Sequence, residues 1–154
     1  MKFIVVAIGH RMPAWVDAGF AEYAGRMPRD ARIELAALKA ALRGGPVKRI
    51  LDAEGERILA ALPAGCMKVV LDERGTLFDT MALARRMARW REMGRNVAFI
   101  LGGADGLADS VKKSADLLWS LSPLTLPHGL ARVVLAEQLY RAVSILHNHP
   151  YHRE

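Results

Sequence analysis

Four short apolar runs, separated by stretches of helical periodicity, constrain this chain more than any other feature. Lys2–Ile8, Ile33–Leu38, Met67–Asp72 and Asn96–Leu101 are rich in Val, Ile and Leu and are bounded by Gly, Asp or Pro, as buried strands are. Between them, Pro13–Met27 sets Trp15, Val16, Phe20 and Tyr23 at helical spacing, and Val47–Leu62 does the same with Val47, Ile50, Leu51, Ile58 and Leu62. Thr80–Met93 carries Met81, Leu83, Met87 and Trp90 on one side, with Arg85, Arg86, Arg89 and Arg91 filling the rest. Strands that are apolar almost throughout need cover on both faces. Their alternation with helices therefore predicts an α/β fold with a mainly parallel sheet and helices on both sides. At 154 residues the chain reads as one domain, residues 1–154.

After Leu101 the pattern changes to a short helix (Leu107–Ser114), a short strand (Leu117–Leu121), a loop framed by prolines and a helix over Gly129–Leu146. That helix is apolar nearly all round, with Leu130, Val133, Val134, Leu135, Leu139, Tyr140, Val143, Ile145 and Leu146. So wide an apolar surface must be buried on more than one side. In a chain this small a homodimer interface is the expected second partner.

The net charge of +6 favours an anionic partner. It is spread along the chain, so nucleic-acid contacts are expected from a folded surface, and a non-enzymatic RNA-binding module stays open on composition alone. The apolar start is too short for a membrane span and lacks a signal-peptide pattern, so a cytoplasmic protein away from membranes is expected. One cysteine, Cys66, leaves no internal disulfide and reads as a small buried thiol rather than a nucleophile.

Four segments could carry chemistry. Gly102-Gly103-Ala104-Asp105-Gly106 follows a strand, where closely spaced glycines let backbone amides approach a ligand. A tight turn with Asp105 or Asp109 capping the next helix explains it equally well. In Ser122-Pro123-Leu124-Thr125-Leu126-Pro127 two prolines fix the backbone and leave its polar groups free, as a ligand loop or a rigid connection would need. His128 and Arg132 share a helix face, as do Glu137 and Arg141; anion recognition would use them, and the second pair is equally readable as a plain surface ion pair. The ending His147-Asn-His-Pro-Tyr-His-Arg153 suits base stacking and phosphate contact; its spacing matches no zinc signature, and no metal is expected.

Together the glycine loop, the Ser120–His128 segment, Arg132, Glu137–Ala142 and the terminal His-Pro-Tyr-His-Arg closely resemble the RlmH family. Met12-Pro-x-Trp15 and Leu71-Asp-x-x-Gly75 fit as well, so the resemblance spans the chain. These are SPOUT-superfamily methyltransferases of large-subunit ribosomal RNA. The resemblance implies a C-terminal trefoil knot, a homodimer, and methyl transfer from S-adenosylmethionine to N3 of a pseudouridine in 23S ribosomal RNA of the assembled ribosome. It assigns the cofactor to Leu71, Gly103, Ser122, Pro123, Leu124, Thr125, Leu126 and Pro127. It assigns the RNA to His128, Arg132, Arg141, His149 and Tyr151. His152 and Arg153, from the same or the partner subunit, are the candidates for handling the N3 proton.

Overall fold

The computed structural model describes residues 1–152; Arg153, one of the two catalytic candidates, lies outside the described residues. In chain order the elements are β1 (Phe3–Ile8), α1 (Ala14–Arg26), a 3-10 turn (Arg29–Ala31), β2 (Ile33–Leu38), α2 (Val47–Ala61), β3 (Met67–Leu77), α3 (Thr80–Glu92), β4 (Val97–Leu101), α4 (Asp109–Lys113), β5 (Leu117–Ser120), α5 (His128–Leu146) and a second 3-10 turn (Pro150–His152). The strands form one sheet in the order β2-β1-β4-β3-β5, and every pairing is parallel. The expected mainly parallel sheet is thus wholly parallel among the described residues.

The two-residue period of the strands decides which side chain serves which face. Phe3, Val5 and Ala7 of β1 join Val97, Phe99 and Leu101 of β4 under α1, α3 and α5. Ile4, Val6 and Ile8 join Ile100 and Val70 under α2 and α4, which contribute Ile58 and Val111. Phe99 is the hub of the first face, with ring centroids 6.0 Å from Phe3, 6.2 Å from Trp90 and 6.1 Å from Trp119. Prolines precede α1, α2 and α5, where a fixed backbone angle and a missing N–H end the incoming segment without costing a helix bond. α3 instead starts at Asp79, whose carboxylate accepts the Ala82 amide at 2.8 Å, a cap worth about 1 kcal/mol.

Several boundaries differ from the expected ones, each for a physical reason. β3 continues to Leu77 instead of ending at Asp72, because β5 pairs with it twice: Leu71 and Thr76 both oppose Trp119, and the residues between them bulge out. Gly75 closes that bulge so tightly that a Cβ there would lie 2.6 Å from the Trp119 nitrogen. The short helix shrinks to Asp109–Lys113. Its cap is Ala108 with no side-chain bond, so neither Asp105 nor Asp109 caps it. α5 is buried largely within the chain, Leu135, Ala136, Leu139 and Ala142 being fully covered by a cluster that includes α1 and α3. The partner that this helix requires is therefore in good part intramolecular. Exposed apolar surface remains at Leu130 on α5 and Trp15 on α1, whose next residue, Val16, would meet a Cβ added at Gly129 at 2.9 Å.

Candidate functional site

A cleft of about 800 Å³ opens at the carboxyl ends of β3, β4 and β5, the end at which parallel sheets receive ligands. Most of its lining comes from three pieces of chain: the bulge from Leu71 to Arg74, the glycine loop from Leu101 to Leu107, and the stretch from Trp119 to His128 apart from Pro123. Of the eight cofactor candidates, Leu71, Gly103, Ser122, Leu124, Thr125, Leu126 and Pro127 line it, while Pro123 does not. Of the two framing prolines, Pro127 borders the cleft and Pro123 does not.

Local bonding makes the walls rigid. The Ser122 hydroxyl accepts the Leu124 amide at 2.8 Å, and the buried Ser120 hydroxyl donates to the Ser122 carbonyl at 3.0 Å. Gly102 is a close-approach position, because a Cβ there would lie 2.5 Å from the Gly106 oxygen and 2.8 Å from Leu107 Cγ. Gly106 has φ +88°, the left-handed region that glycine enters without penalty, and its amide returns to the Gly103 carbonyl at 3.2 Å. A Cβ at Gly103 would point at Ile8 (3.1 Å) and the buried Glu54 (3.6 Å), so that residue offers the cleft its backbone.

Two ties were not foreseeable from local pattern. Arg43, in the β2–α2 connection, reaches Asp105 at 2.6 Å, and Glu54 accepts the Ala41 amide at 3.1 Å, so that connection is fixed to the glycine loop. Lys112 of α4 reaches Asp72 in the bulge at 3.4 Å.

His128, the first residue of α5, closes one end of the cleft. Its Nε2 is 3.1 Å from Arg132 Nη2, which also donates to the Gly9 carbonyl at 3.0 Å. Burial, then the Arg132 charge, lowers the His128 pKa below the ordinary value of 6.5, so the ring is neutral at pH 7 with Nε2 as acceptor. Arg132 does not reach the surface as an RNA contact would. It is 1 % exposed, burial lowers its own pKa, and its Nε has no partner. Among the described residues, its one side-chain hydrogen bond to a cleft-lining residue is that with His128.

The remaining candidates gather elsewhere. Glu137 and Arg141 form an ion pair at 2.7 Å. Tyr151 folds onto it, donating to Glu137 Oε1 at 3.1 Å, with its ring 4.6 Å from Tyr140 and 4.8 Å from the Arg141 guanidinium. Burial and the Glu137 carboxylate push the Tyr151 phenol up to about 12. Its aromatic surface, expected to stack on a base, is already engaged. Asn148 (φ 53°) turns the chain here, a conformation that asparagine tolerates; His149 is exposed, and His152 has a buried, unpartnered Nδ1. Glu137 lies nine residues from His128, roughly 13 Å along the axis, and no residue of this cluster lines the cleft.

Cys66 is buried and its thiol pKa is raised by burial, as for an inert thiol. Among the described residues no group of three or more His, Cys, Asp or Glu is placed to hold a metal. No described helix is long and apolar enough to cross a membrane.

A five-stranded, all-parallel sheet covered by helices, with a cleft at its strand ends, defines the class: an α/β protein of the open parallel type. A family described as predicted SPOUT methyltransferase matches residues 1–152. The chain is 54 % identical over 155 residues to ribosomal RNA large subunit methyltransferase H of Nitrosospira multiformis, covering 99 % of both chains. With the protein of that name from Burkholderia mallei it shares 55 %, again over 99 % of both. Among solved structures, a probable methyltransferase from Bordetella pertussis aligns with TM-score 0.57 and 14 % identity over 92 % of this chain and 95 % of that one. A putative methylase family protein from Neisseria gonorrhoeae gives 0.55 and 15 % over 90 % and 81 %; both show likeness of fold. The chain belongs to the SPOUT methyltransferase family, within its ribosomal RNA large subunit methyltransferase H group.

Proposed function

We propose that this protein methylates N3 of a pseudouridine in large-subunit ribosomal RNA, using S-adenosylmethionine held in the strand-end cleft. The observation that carries the reading is the convergence of Leu71, the glycine loop and Ser122–Pro127 on one cleft, in a chain more than half identical to large-subunit RNA methyltransferases over its length. The cleft volume suits a nucleoside-sized ligand. Leucines 71, 121, 124 and 126 offer apolar walls, and hydroxyls and backbone groups of Ser122, Thr125 and the glycine loop offer polar edges.

Bound there, the cofactor supplies a methyl group on a sulfonium. The residues of the chain then have mainly to align the RNA nitrogen with that carbon and exclude water. N3 would have to give up its proton for methylation, so a residue of the chain that holds that proton would assist. With Nε2 engaged by Arg132, His128 positions rather than takes the proton. The His152–Arg153 tail is the proposed proton-handling group. His152 is absent from the lining of the cleft, so the reading includes a homodimer in which one protomer's tail meets the other's site. Exposed Trp15 and Leu130 on the paired α1 and α5 supply apolar surface for it. His149 and Arg141 face the RNA in this reading, and the convergent loops are those of a C-terminal trefoil knot within one domain.

Calorimetry with S-adenosylmethionine, followed by labelled-methyl transfer to ribosomes from a strain lacking the modification, tests the reading. Absence of binding at millimolar cofactor refutes it; transfer to tRNA but not ribosomes would redirect it.

A further inference from the structure

The solvent face of α3 departs from the charge pattern of the other helices. Three cations on other helices have an acid one turn away: Arg26 with Glu22 at 2.6 Å, Lys48 with Asp52 at 2.7 Å, Arg141 with Glu137 at 2.7 Å. α3 carries Arg85, Arg86, Arg89 and Arg91 against one acid, Glu92. None of the four arginines has a carboxylate partner among the described residues. Met81, Arg85, Arg89 and Met93 succeed one another in steps of four and are all exposed, so they form one ridge, with exposed Arg91 beside it. The helix dipole favours Arg89 and Arg91 in the last turn, but Arg85 lies outside that turn and repels Arg89 at i+4, so local stability does not explain the whole ridge. The helix contains arginine and no lysine, and the guanidinium fork matches phosphate oxygens.

The ridge is also fixed to the site. Thr80 donates to Gln138 of α5 at 2.6 Å. Arg86 lies 4.7 Å over the Phe78 ring, and that ring stacks at 4.9 Å on Trp119, part of the cleft wall. A continuous cation–aromatic stack therefore runs from the arginine face to the cleft.

We propose that the α3 ridge is a second RNA-binding surface. It grips the phosphate backbone of the large-subunit RNA outside the nucleotide that enters the cleft, and so supplies affinity without sequence choice. The proposal rests on the RNA-methyltransferase reading for its choice of polyanion.

The test compares the full-length wild type with the triple variant Arg85→Gln, Arg89→Gln, Arg91→Gln, and with the same three positions changed to Lys. Binding to naked large-subunit RNA and to intact large subunits is measured from about 50 to 300 mM salt. Each lost phosphate contact lowers the slope of log affinity against log salt by about 0.7 to 0.9, so the Gln variant loses about two units of slope. It also binds roughly tenfold more weakly at low salt. The Lys variant keeps the slope, and calorimetric cofactor affinity is unchanged in both, which shows that they are folded. Unaltered slope and affinity in the Gln variant overturn the proposal. So does weakened binding to subunits with unaltered binding to naked RNA, which assigns the ridge to a ribosomal protein. A wild type that binds RNA with ridge-dependent slope yet transfers no methyl sinks the enzymatic reading and leaves the ridge standing.

Discussion

Replacing Gly102 with alanine separates the cleft's geometry from mere loop flexibility. The new Cβ would sit 2.5 Å from the Gly106 oxygen, 2.7 Å from the Gly106 carbonyl carbon and 2.8 Å from Leu107 Cγ. The first contact is short of an ordinary carbon–oxygen distance by roughly 0.8 Å, and two of the three atoms are backbone that no rotamer change can clear. Overpacking of this kind costs about 1–3 kcal/mol. Pulling Gly106 away also threatens its 3.2 Å bond to the Gly103 carbonyl, a further loss of about 1 kcal/mol. The variant should stay folded with Tm lowered by on the order of 10 °C. Its loop should be displaced by about 1 Å, enough to lower methyl transfer by roughly a hundredfold. The control is Gly106→Ala. A Cβ there meets nothing within 4 Å, although φ is +88°, so it carries only the left-handed strain of about 1–2 kcal/mol. Scanning fluorimetry reads the stabilities, and calorimetry with S-adenosylmethionine reads the site. Cofactor affinity should fall at least tenfold in Gly102→Ala and stay close to wild type in Gly106→Ala. Wild-type affinity in the first, or equal losses in both, refutes the claim that close backbone approach shapes the cleft.

Four further outcomes follow from the same geometry. Arg132→Met removes a buried charge beside His128, so the His128 titration followed by NMR should move toward higher pH; an unmoved midpoint contradicts the contact. Because the native pKa of His128 is depressed, the unfolded state binds the proton more readily. Its contribution to stability is full above pH about 6.5 and declines as pH falls through that value toward the lower native pKa, and His128→Gln should flatten that part of the profile. Tyr151 should ionise near pH 12 by tyrosine-selective NMR and markedly lower in Glu137→Gln, with an identical midpoint in both proteins counting against the contact. Arg43→Ala breaks a largely exposed ion pair (59 % and 29 % side-chain exposure), so its stability cost is under about 1 kcal/mol, yet it frees the glycine loop; cofactor dissociation in stopped flow should quicken several-fold, and an unchanged rate dismisses the tether.

The sheet was legible in the sequence because burial on both faces writes an unbroken apolar run into each strand, as in Phe3–Ile8. The proline-framed loop and the clustered glycines were legible for a similar reason: those residues restrict or free the backbone wherever they occur. What stayed hidden depends on distant partners. Glu73-Arg74-Gly75 falls beyond the strand expected over Met67–Asp72, and only the renewed pairing with β5 at Trp119 makes it a bulge inside a longer strand. Arg132 reads as a surface cation one turn from His128. A carbonyl 123 residues away, on Gly9, holds it in the interior. Likewise nothing local to Arg43 announces Asp105, and nothing in the tail announces that Tyr151 folds onto Glu137 and Tyr140.

The most direct test of the whole account is to incubate the wild-type protein with S-adenosylmethionine carrying a labelled methyl group and ribosomes lacking the modification. The recovered RNA is then digested and the label located by mass spectrometry. The account predicts one methyl group per large-subunit RNA, on N3 of a pseudouridine, and almost none with Gly102→Ala. Label on another atom, on another RNA, or on none contradicts it.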